Sequence, residues 1–217
     1  CPGHPPAHLM VAASRKVYGE NPTPSEITAD SPLNPEEAYG RAKKQIEENV
    51  RAAMPEDQLT ILRMTNIVGW NGKDLSQKGF AGYVFNQLCK NEGVVELDYD
   101  PDCLRDFLPQ EKFCEVMIAM SENPLKGTYN FGSSAPLRMG ELINAWTRGY
   151  GGLISVLECD KQADCYMRSE QIYTETGISP FSQAGVIASL EDQGRALRNL
   201  DTGRSPDYDE LEVWGIQ

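Results

Sequence analysis

Histidine is almost absent from this sequence, with two residues in 217, both within the first eight. With no histidine beside them and no Cys-x-x-Cys, the six cysteines (Cys1, Cys89, Cys103, Cys114, Cys159, Cys165) lack the spacing of a zinc site. They read as reduced, packed thiols of a cytoplasmic protein, and no metal is expected. Positive charge is short as well. Twenty Lys and Arg face 32 Asp and Glu, a formal net charge of −12. Such a surface repels phosphate backbones and anionic bilayers, which excludes nucleic acid and membrane as partner classes. No apolar run approaches the ~20 residues needed to cross a bilayer, and there is no internal repeat or low-complexity tract. What is present is ordinary for a globular protein: 40% hydrophobic and 24% charged residues. The length suits one core with a smaller lobe. The chain opens on Cys1, and CPGHPP is neither signal peptide nor helix cap, so further sequence is expected to precede it.

Periodicity predicts a succession of strands and helices. Leu9 to Ala13 is a short apolar run ending at Ser14, the pattern of a buried parallel strand. Glu20 to Pro35 is Pro-rich and acidic, and reads as a surface loop. Asn34 is placed to cap a helix, with Pro35 first and Glu36 and Glu37 in the opening turn. That helix runs to about Ala53, its apolar stripe being Ala38, Ala42, Ile46, Val50 and Ala53. Glu36, Glu37, Glu47 and Glu48 read as its solvated face. Gln58 to Arg63 is the next strand, completing a βαβ unit whose ligands belong at the strands' carboxyl ends.

Further on, Trp70 to Lys78 reads as a polar loop. Helices follow over Phe80 to Asn91, Glu111 to Ser121, Arg138 to Tyr150 and Ile187 to Arg198. Strands fall at Val94 to Asp98, Leu104 to Leu108, Gly127 to Gly132 and Leu153 to Leu157. A short helix over Arg168 to Thr176 closes at Gly177. From Asp201 the tail is acidic and loose unless Leu211 and Trp214 dock. Trp70, Trp146 and Trp214 are expected in the core or an interface.

One constellation reads as chemistry. Tyr39 and Lys43 are one helical turn apart on one face. An ammonium beside a phenol favours its ionised form and eases proton transfer. Ser14, 25 residues before Tyr39, ends the preceding strand and can hydrogen-bond the oxygen whose proton moves. A Tyr-x3-Lys pair alone arises readily by chance, so its place at the opening of a crossover helix is what lends it weight.

These residues resemble a known family. Ala12-Ala-Ser-Arg-Lys-Val-Tyr-Gly19 is similar to the serine-strand motif of the NAD-dependent epimerase/dehydratase family, the extended short-chain dehydrogenase/reductases. Tyr39-Gly-Arg-Ala-Lys43 resembles its Y-G-x-S-K motif, with Ala42 in place of the common Ser. The spacing from Ser14 to Tyr39 is similar to that of the family's nucleotide-sugar 4-epimerases. Leu62-Arg-Met-Thr-Asn-Ile-Val-Gly69, Arg105-Asp-Phe-Leu108, Gly127-Thr-Tyr-Asn-Phe-Gly132 and Met139-Gly-Glu-Leu142 resemble further family segments in unbroken order.

The resemblance implies an α/β fold: a partial Rossmann-like parallel sheet, the C-terminal part of a dinucleotide domain, with a small α/β substrate-binding lobe. Residues 1–70 would form the half domain, 71–200 mainly the lobe with interleaved Rossmann elements, and 201–217 an acidic tail. It implies NAD or NADP as cofactor, and Tyr39 as general acid/base. Lys43 would assist that tyrosine and hold the nicotinamide ribose, with Met64 and Thr65 beside the cofactor. Ser14 would orient the reacting hydroxyl, and Asn66 and Arg105 would touch a sugar or nucleotide-sugar substrate. Read without the family, Asn66 could equally bond a loop backbone, and Arg105 could form a surface ion pair with Asp106. Relatives of this kind pair through the tyrosine helix, which makes a homodimer one expectation.

Three departures shape the reading. No Gly-x-x-Gly-x-x-Gly, the family's pyrophosphate cradle, occurs in these residues, so this chain alone is expected to be inactive. Arg15 and Lys16 stand where the family's dehydratases carry acids, which favours an epimerase or keto-reductase over a dehydratase. Only Lys161 is basic where epimerases place another diphosphate-binding arginine. The alternative is a degenerate, non-catalytic relative serving as a binding or scaffold protein.

Overall fold

Residues 8–20, 22, 25–69 and 79–202 are described in the computed structural model. The expected loop over Trp70 to Lys78, the docking of Leu211 and Trp214, and the tail beyond residue 202 lie outside them. In chain order the elements are β1 (Leu9–Ser14), a 3₁₀ turn (Arg15–Tyr18), β2 (Glu26–Ile27), α1 (Ala38–Ala53), a second 3₁₀ turn (Glu56–Gln58), β3 (Leu59–Met64) and β4 (Asn66–Val68). Then come α2 (Gly79–Lys90), β5 (Val94–Leu97), β6 (Leu104–Arg105), β7 (Phe107–Pro109), α3 (Gln110–Glu122) and β8 (Gly127–Phe131). The remainder are β9 (Leu137–Arg138), α4 (Met139–Tyr150), β10 (Leu153–Val156), β11 (Tyr166–Met167), α5 (Glu170–Thr176) and α6 (Gln183–Asp201). They sort into two compact units, one of residues 1–68, 103–137 and 162–186, the other of 69–102, 138–161 and 187–217.

The first unit is built on the parallel sheet β1-β3-β8. Side chains alternate across it, so each face gathers its own apolar set. Ala13, Leu59 and Ile61 form one face with Val11, and Val50 of α1 and Met54, just past its end, cover them. Leu62, Tyr129 and Phe131 form the other face, against Val116 and Met120 of α3 and Ile172 and Tyr173 of α5. The expected βαβ unit is present: β1 and β3 run parallel, from Leu9↔Leu59 to Ser14↔Met64, with α1 as the crossover. Ser14 and Met64 therefore end on the same edge.

Four sequence expectations need correction here. Helix α1 starts at Ala38, with Glu37 at the N-cap and no side-chain cap bond, rather than at Asn34 and Pro35. The cause is tertiary. A Cβ built on Gly19 would lie 2.7 Å from the Asn34 carbonyl, and Glu37 pairs with Lys16 at 3.4 Å, so residues 34–37 lie against the first 3₁₀ turn.

The helix also turns a different face inward. Ala38, Ala42, Ala53 and Ile46 are exposed, Ile46 to 43%, while Glu47 is only 2% exposed. The loop from Glu20 to Pro35 contains β2, which pairs in parallel with β11 and buries Ile27 completely. Two residues carry no periodicity to read. Finally, the strand expected over Leu104 to Leu108 is interrupted at Asp106, and that residue is buried.

In the second unit β5 and β10 pair in parallel, and Trp146 of α4 is fully buried. Phe85 meets its ring edge-on at 5.3 Å, and its indole N–H donates to Gln193 Oε1 at 3.2 Å. Gly149 of α4 and Gly194 of α6 let the two backbones touch: a Cβ on Gly149 would strike the Glu191 carbonyl. Gly149→Ala is expected to cost about 2 kcal/mol by overpacking, read as a lower denaturant midpoint. Among the described residues no helix is long and apolar enough to cross a membrane.

Candidate active site

Ser14 closes β1 and is the N-cap of the 3₁₀ turn that follows. Its Oγ accepts the Lys16 amide at 3.3 Å, which holds the hydroxyl at the carboxyl end of the sheet. Tyr39 and Lys43 lie in the first turns of α1, the Lys43 ammonium 5.7 Å from the centre of the Tyr39 ring. Lys43 Nζ also donates to the Ala12 carbonyl at 2.7 Å, so the lysine reaches the end of the strand that carries Ser14. Gly40 seals the arrangement, because a Cβ there would collide with the Lys16 carbonyl. Tyr39 and Ser14 thus flank one close backbone contact. The Tyr39 ring is 55% exposed and its hydroxyl makes no hydrogen bond among the described residues.

The other expected site residues fall around the same sheet end in different ways. Met64 stands opposite Ser14 in register and packs partly into the apolar core. Thr65 is buried, its hydroxyl donating to the Asp106 carbonyl at 2.5 Å and its amide to the Phe131 carbonyl at 3.1 Å. Asn66 is exposed at the start of β4, paired with Phe107. Arg105 is 8% exposed, and its Nη1 donates to the Leu104 and Ala163 carbonyls at 2.8 and 2.7 Å. The surface ion pair weighed for Arg105 and Asp106 is therefore excluded by burial.

Arg15 Nη1 donates to Cys165 Sγ at 3.4 Å, and Lys16 Nζ is held by Glu20 at 2.6 Å and by Glu37. Lys161 belongs to the second unit, where it pairs with Asp100 at 3.2 Å and Asp102 at 3.0 Å.

Several residues the motifs did not single out line or support this site. Asp106 is 3% exposed. Its Oδ1 accepts from the Ser133 amide at 3.0 Å and hydroxyl at 2.5 Å, while Oδ2 faces the Cα of Gly132 with no hydrogen-bond partner among the described residues. Burial pushes this carboxyl up to about 6, against the pull of the Ser133 bonds. A raised folded value means the protonated form is favoured in the fold. The associated stability is complete only below about pH 4 and is lost as pH rises through about 6. Asp106→Asn is therefore expected to gain about 3 kcal/mol relative to wild type between about pH 4 and pH 7. Urea unfolding of both proteins across that range checks it, and parallel curves would refute the buried-acid assignment. Behind the sheet end, Tyr18, Glu47, Arg63 and Asn130 are all at most 4% exposed. The signal for Glu47 was its place two helical turns after Tyr39 and one after Lys43.

A parallel sheet with a crossover helix, and a serine, tyrosine and lysine gathered at one strand end, is the arrangement of a Rossmann-like α/β protein of short-chain dehydrogenase/reductase type. Solved structures share the fold. A putative epimerase from Burkholderia cenocepacia J2315 superposes with a TM-score of 0.70 at 18% identity, over 90% of this chain and 65% of that one. RMD from Pseudomonas aeruginosa, complexed with NADPH, gives 0.69 at 17% identity over 88% and 66%. UDP-glucose 4-epimerase from Bifidobacterium longum, in complex with NAD+ and UDP, gives 0.67 at 22% identity over 88% and 65%. The chain thus spans just under two-thirds of the length of these structures. No curated protein sequence matches it. The profile of the NAD dependent epimerase/dehydratase family matches residues 2–132, and the chain belongs to that family.

Proposed function

We propose that this protein is an NAD(P)-dependent epimerase or keto-reductase acting on a sugar or nucleotide sugar. The observation that carries the reading is Lys43, 5.7 Å from the Tyr39 ring and tied to the Ala12 carbonyl two residues before Ser14. The donor set suits a nicotinamide ribose. An ammonium donating to the Ala12 carbonyl and a phenol whose hydroxyl makes no hydrogen bond among the described residues stand side by side. Met64 and Thr65 would flank the same cofactor. When bound, a nicotinamide supplies or accepts the hydride.

The chain's own residues do the rest. Tyr39 moves the proton of the reacting sugar hydroxyl as general acid/base, Lys43 stands beside its ring, and Ser14 orients the hydroxyl. Asn66, exposed at the sheet end, would contact the sugar, and Arg105 would approach the diphosphate side. Residues 1–70 would supply the C-terminal half of the dinucleotide domain and 71–200 mainly the substrate lobe. Epimerase or reductase is preferred to dehydratase because Lys16 is engaged by two carboxylates and Arg15 is a cation, so neither can act as the acid pair of an elimination. A homodimer is proposed with it, through α1, whose Ile46 is 43% exposed.

The test is a panel of UDP-, dTDP- and GDP-sugars with NAD+ or NADPH, read by absorbance of the reduced cofactor and by proton NMR of the products. The expected result is inversion at a sugar carbinol carbon or reduction of a keto-sugar. Absence of turnover across the panel, together with no NAD(P)H fluorescence change on titration, would overturn it in favour of a non-catalytic binding or scaffold protein.

A further inference from the structure

The polar residues buried behind the site form one connected network with no part in the chemistry so far. Arg63 lies in the sheet row Ala13–Arg63–Asn130, immediately before the row Ser14–Met64–Phe131. Its guanidinium forks onto Glu47, Nε to Oε1 at 3.0 Å and Nη2 to Oε2 at 2.8 Å. Nη1 donates to the Tyr18 hydroxyl and to the Ala29 carbonyl, both at 2.9 Å. Tyr18 O–H in turn donates to Asn130 Oδ1 at 2.6 Å, and Asn130 Nδ2 donates to the Ile27 carbonyl at 3.1 Å. Arg51, more exposed, adds a second, longer contact to Glu47 at 3.4 Å. One guanidinium therefore joins α1, the 3₁₀ turn after Ser14, the segment around β2, and strand β3, and through Tyr18 it reaches β8.

As a source of stability alone this is a poor device. Desolvating two charges offsets most of their attraction, and apolar residues of the same volume often serve as well. What a forked guanidinium–carboxylate pair supplies is a fixed relative orientation. That orientation bears on the site directly. Tyr39, Lys43 and Glu47 share one face of α1 at successive turns. Lys43 is tied to Ala12 of β1 and Glu47 to Arg63 of β3, whose register partner is Ala13, so two consecutive turns are anchored to adjacent rows of the sheet. Tyr18, the last residue of the turn that Ser14 caps, is held by the same guanidinium.

We propose that Glu47, Arg63 and Tyr18 are positioning residues: together they set the rotation of α1 and the seat of the serine turn, so that the Tyr39 hydroxyl, Lys43 and Ser14 Oγ meet. The inference rests on the reading of Tyr39 as acid/base given above. It acts through Tyr39 and touches neither substrate nor cofactor.

The test uses the full-length protein and the nucleotide sugar turned over in the panel. Arg63→Lys keeps the charge but cannot fork. It is expected to lower kcat by about 10²-fold, the effect of a misplacement near 1 Å, with KM within about twofold. Met120→Ala is the control, a fully buried residue of α3 on the opposite face of the sheet. It should lower the unfolding temperature at least as much while retaining kcat below that temperature. In a Tyr39→Phe background, Arg63→Lys should cost less than about threefold more, because the two act as a unit.

Should Arg63→Lys not fold, Tyr18→Phe, lacking only one hydroxyl, is expected to lower kcat about tenfold with KM unchanged. The inference is overturned if either variant retains full kcat, if Arg63→Lys costs the same factor in both backgrounds, or if Met120→Ala loses kcat in proportion to stability. If Tyr39→Phe itself leaves turnover intact, the acid/base reading fails first and this inference falls with it.

Discussion

Replacing Tyr39 by phenylalanine is expected to lower kcat by about 10²–10⁴-fold, the range over which a positioned general acid/base contributes. The substitution removes one oxygen and nothing else from a ring that is already 55% exposed. Its hydroxyl makes no hydrogen bond among the described residues, so no buried group loses a partner. The unfolding free energy should accordingly stay within about 0.5 kcal/mol of wild type, the usual span for surface changes. That separation of effects makes the experiment decisive, since a loss of turnover cannot be assigned to unfolding. Measured kcat at unchanged denaturant midpoint is the check. Undiminished turnover would remove Tyr39 as the proton-transfer group, whatever the cofactor data show.

Gly40→Ala is the second large effect, and its sign is opposite to the one helix propensity suggests. In an isolated helix the change is worth about 1 kcal/mol in favour of alanine. Here the added methyl would overlap the Lys16 carbonyl, a backbone atom in the turn that Ser14 caps, with Pro35 Cβ at 3.0 Å on its other side. Neither neighbour is the free end of a flexible side chain. Either α1 must lift or the turn must sink, and both motions separate Tyr39 from Ser14. A net loss of about 3 kcal/mol is expected from overpacking, with a fall in kcat of about 10²-fold from misplacement. Urea unfolding and steady-state kinetics read the two parts separately. A stabilised, fully active Gly40→Ala protein would show that the helix does not depend on this contact.

Much of this architecture can be read from order and period. The apolar runs at β1 and β3 with a crossover helix between them specify a parallel pair, because a connection of that length cannot be a hairpin. Gly177, left-handed at φ 72°, ends α5 where a glycine after the last helical residue is expected. The orientation of α1 was not readable in the same way. Ala38, Ala42 and Ile46 make a plausible apolar stripe, yet the face turned inward carries Gly40, Lys43 and Glu47. Hydropathy assigns Glu47 to solvent, correctly for an unpaired carboxylate. The Arg63 fork reverses that preference, and Arg63 arrives from a strand 16 residues further on.

Asp106 makes the same point. In sequence it is one half of an Arg-Asp pair, and charge alone places it at the surface. In the fold it interrupts two short strands and buries its carboxyl beneath Ser133, so its carbonyl can receive Thr65.

The sequence by itself determined the order of the helices and longer strands, the βαβ frame and the one-turn spacing that puts Tyr39 and Lys43 on a common face. These follow from local repeat and chain length, which are properties of neighbouring residues. Tertiary structure alone decided which face of α1 is buried, where that helix begins, and why Gly40 is required beside Tyr39. Each of those depends on a polar or backbone partner distant in the chain. The free energy of burying a charge or a carbonyl is set by that partner and not by the residue's own hydropathy.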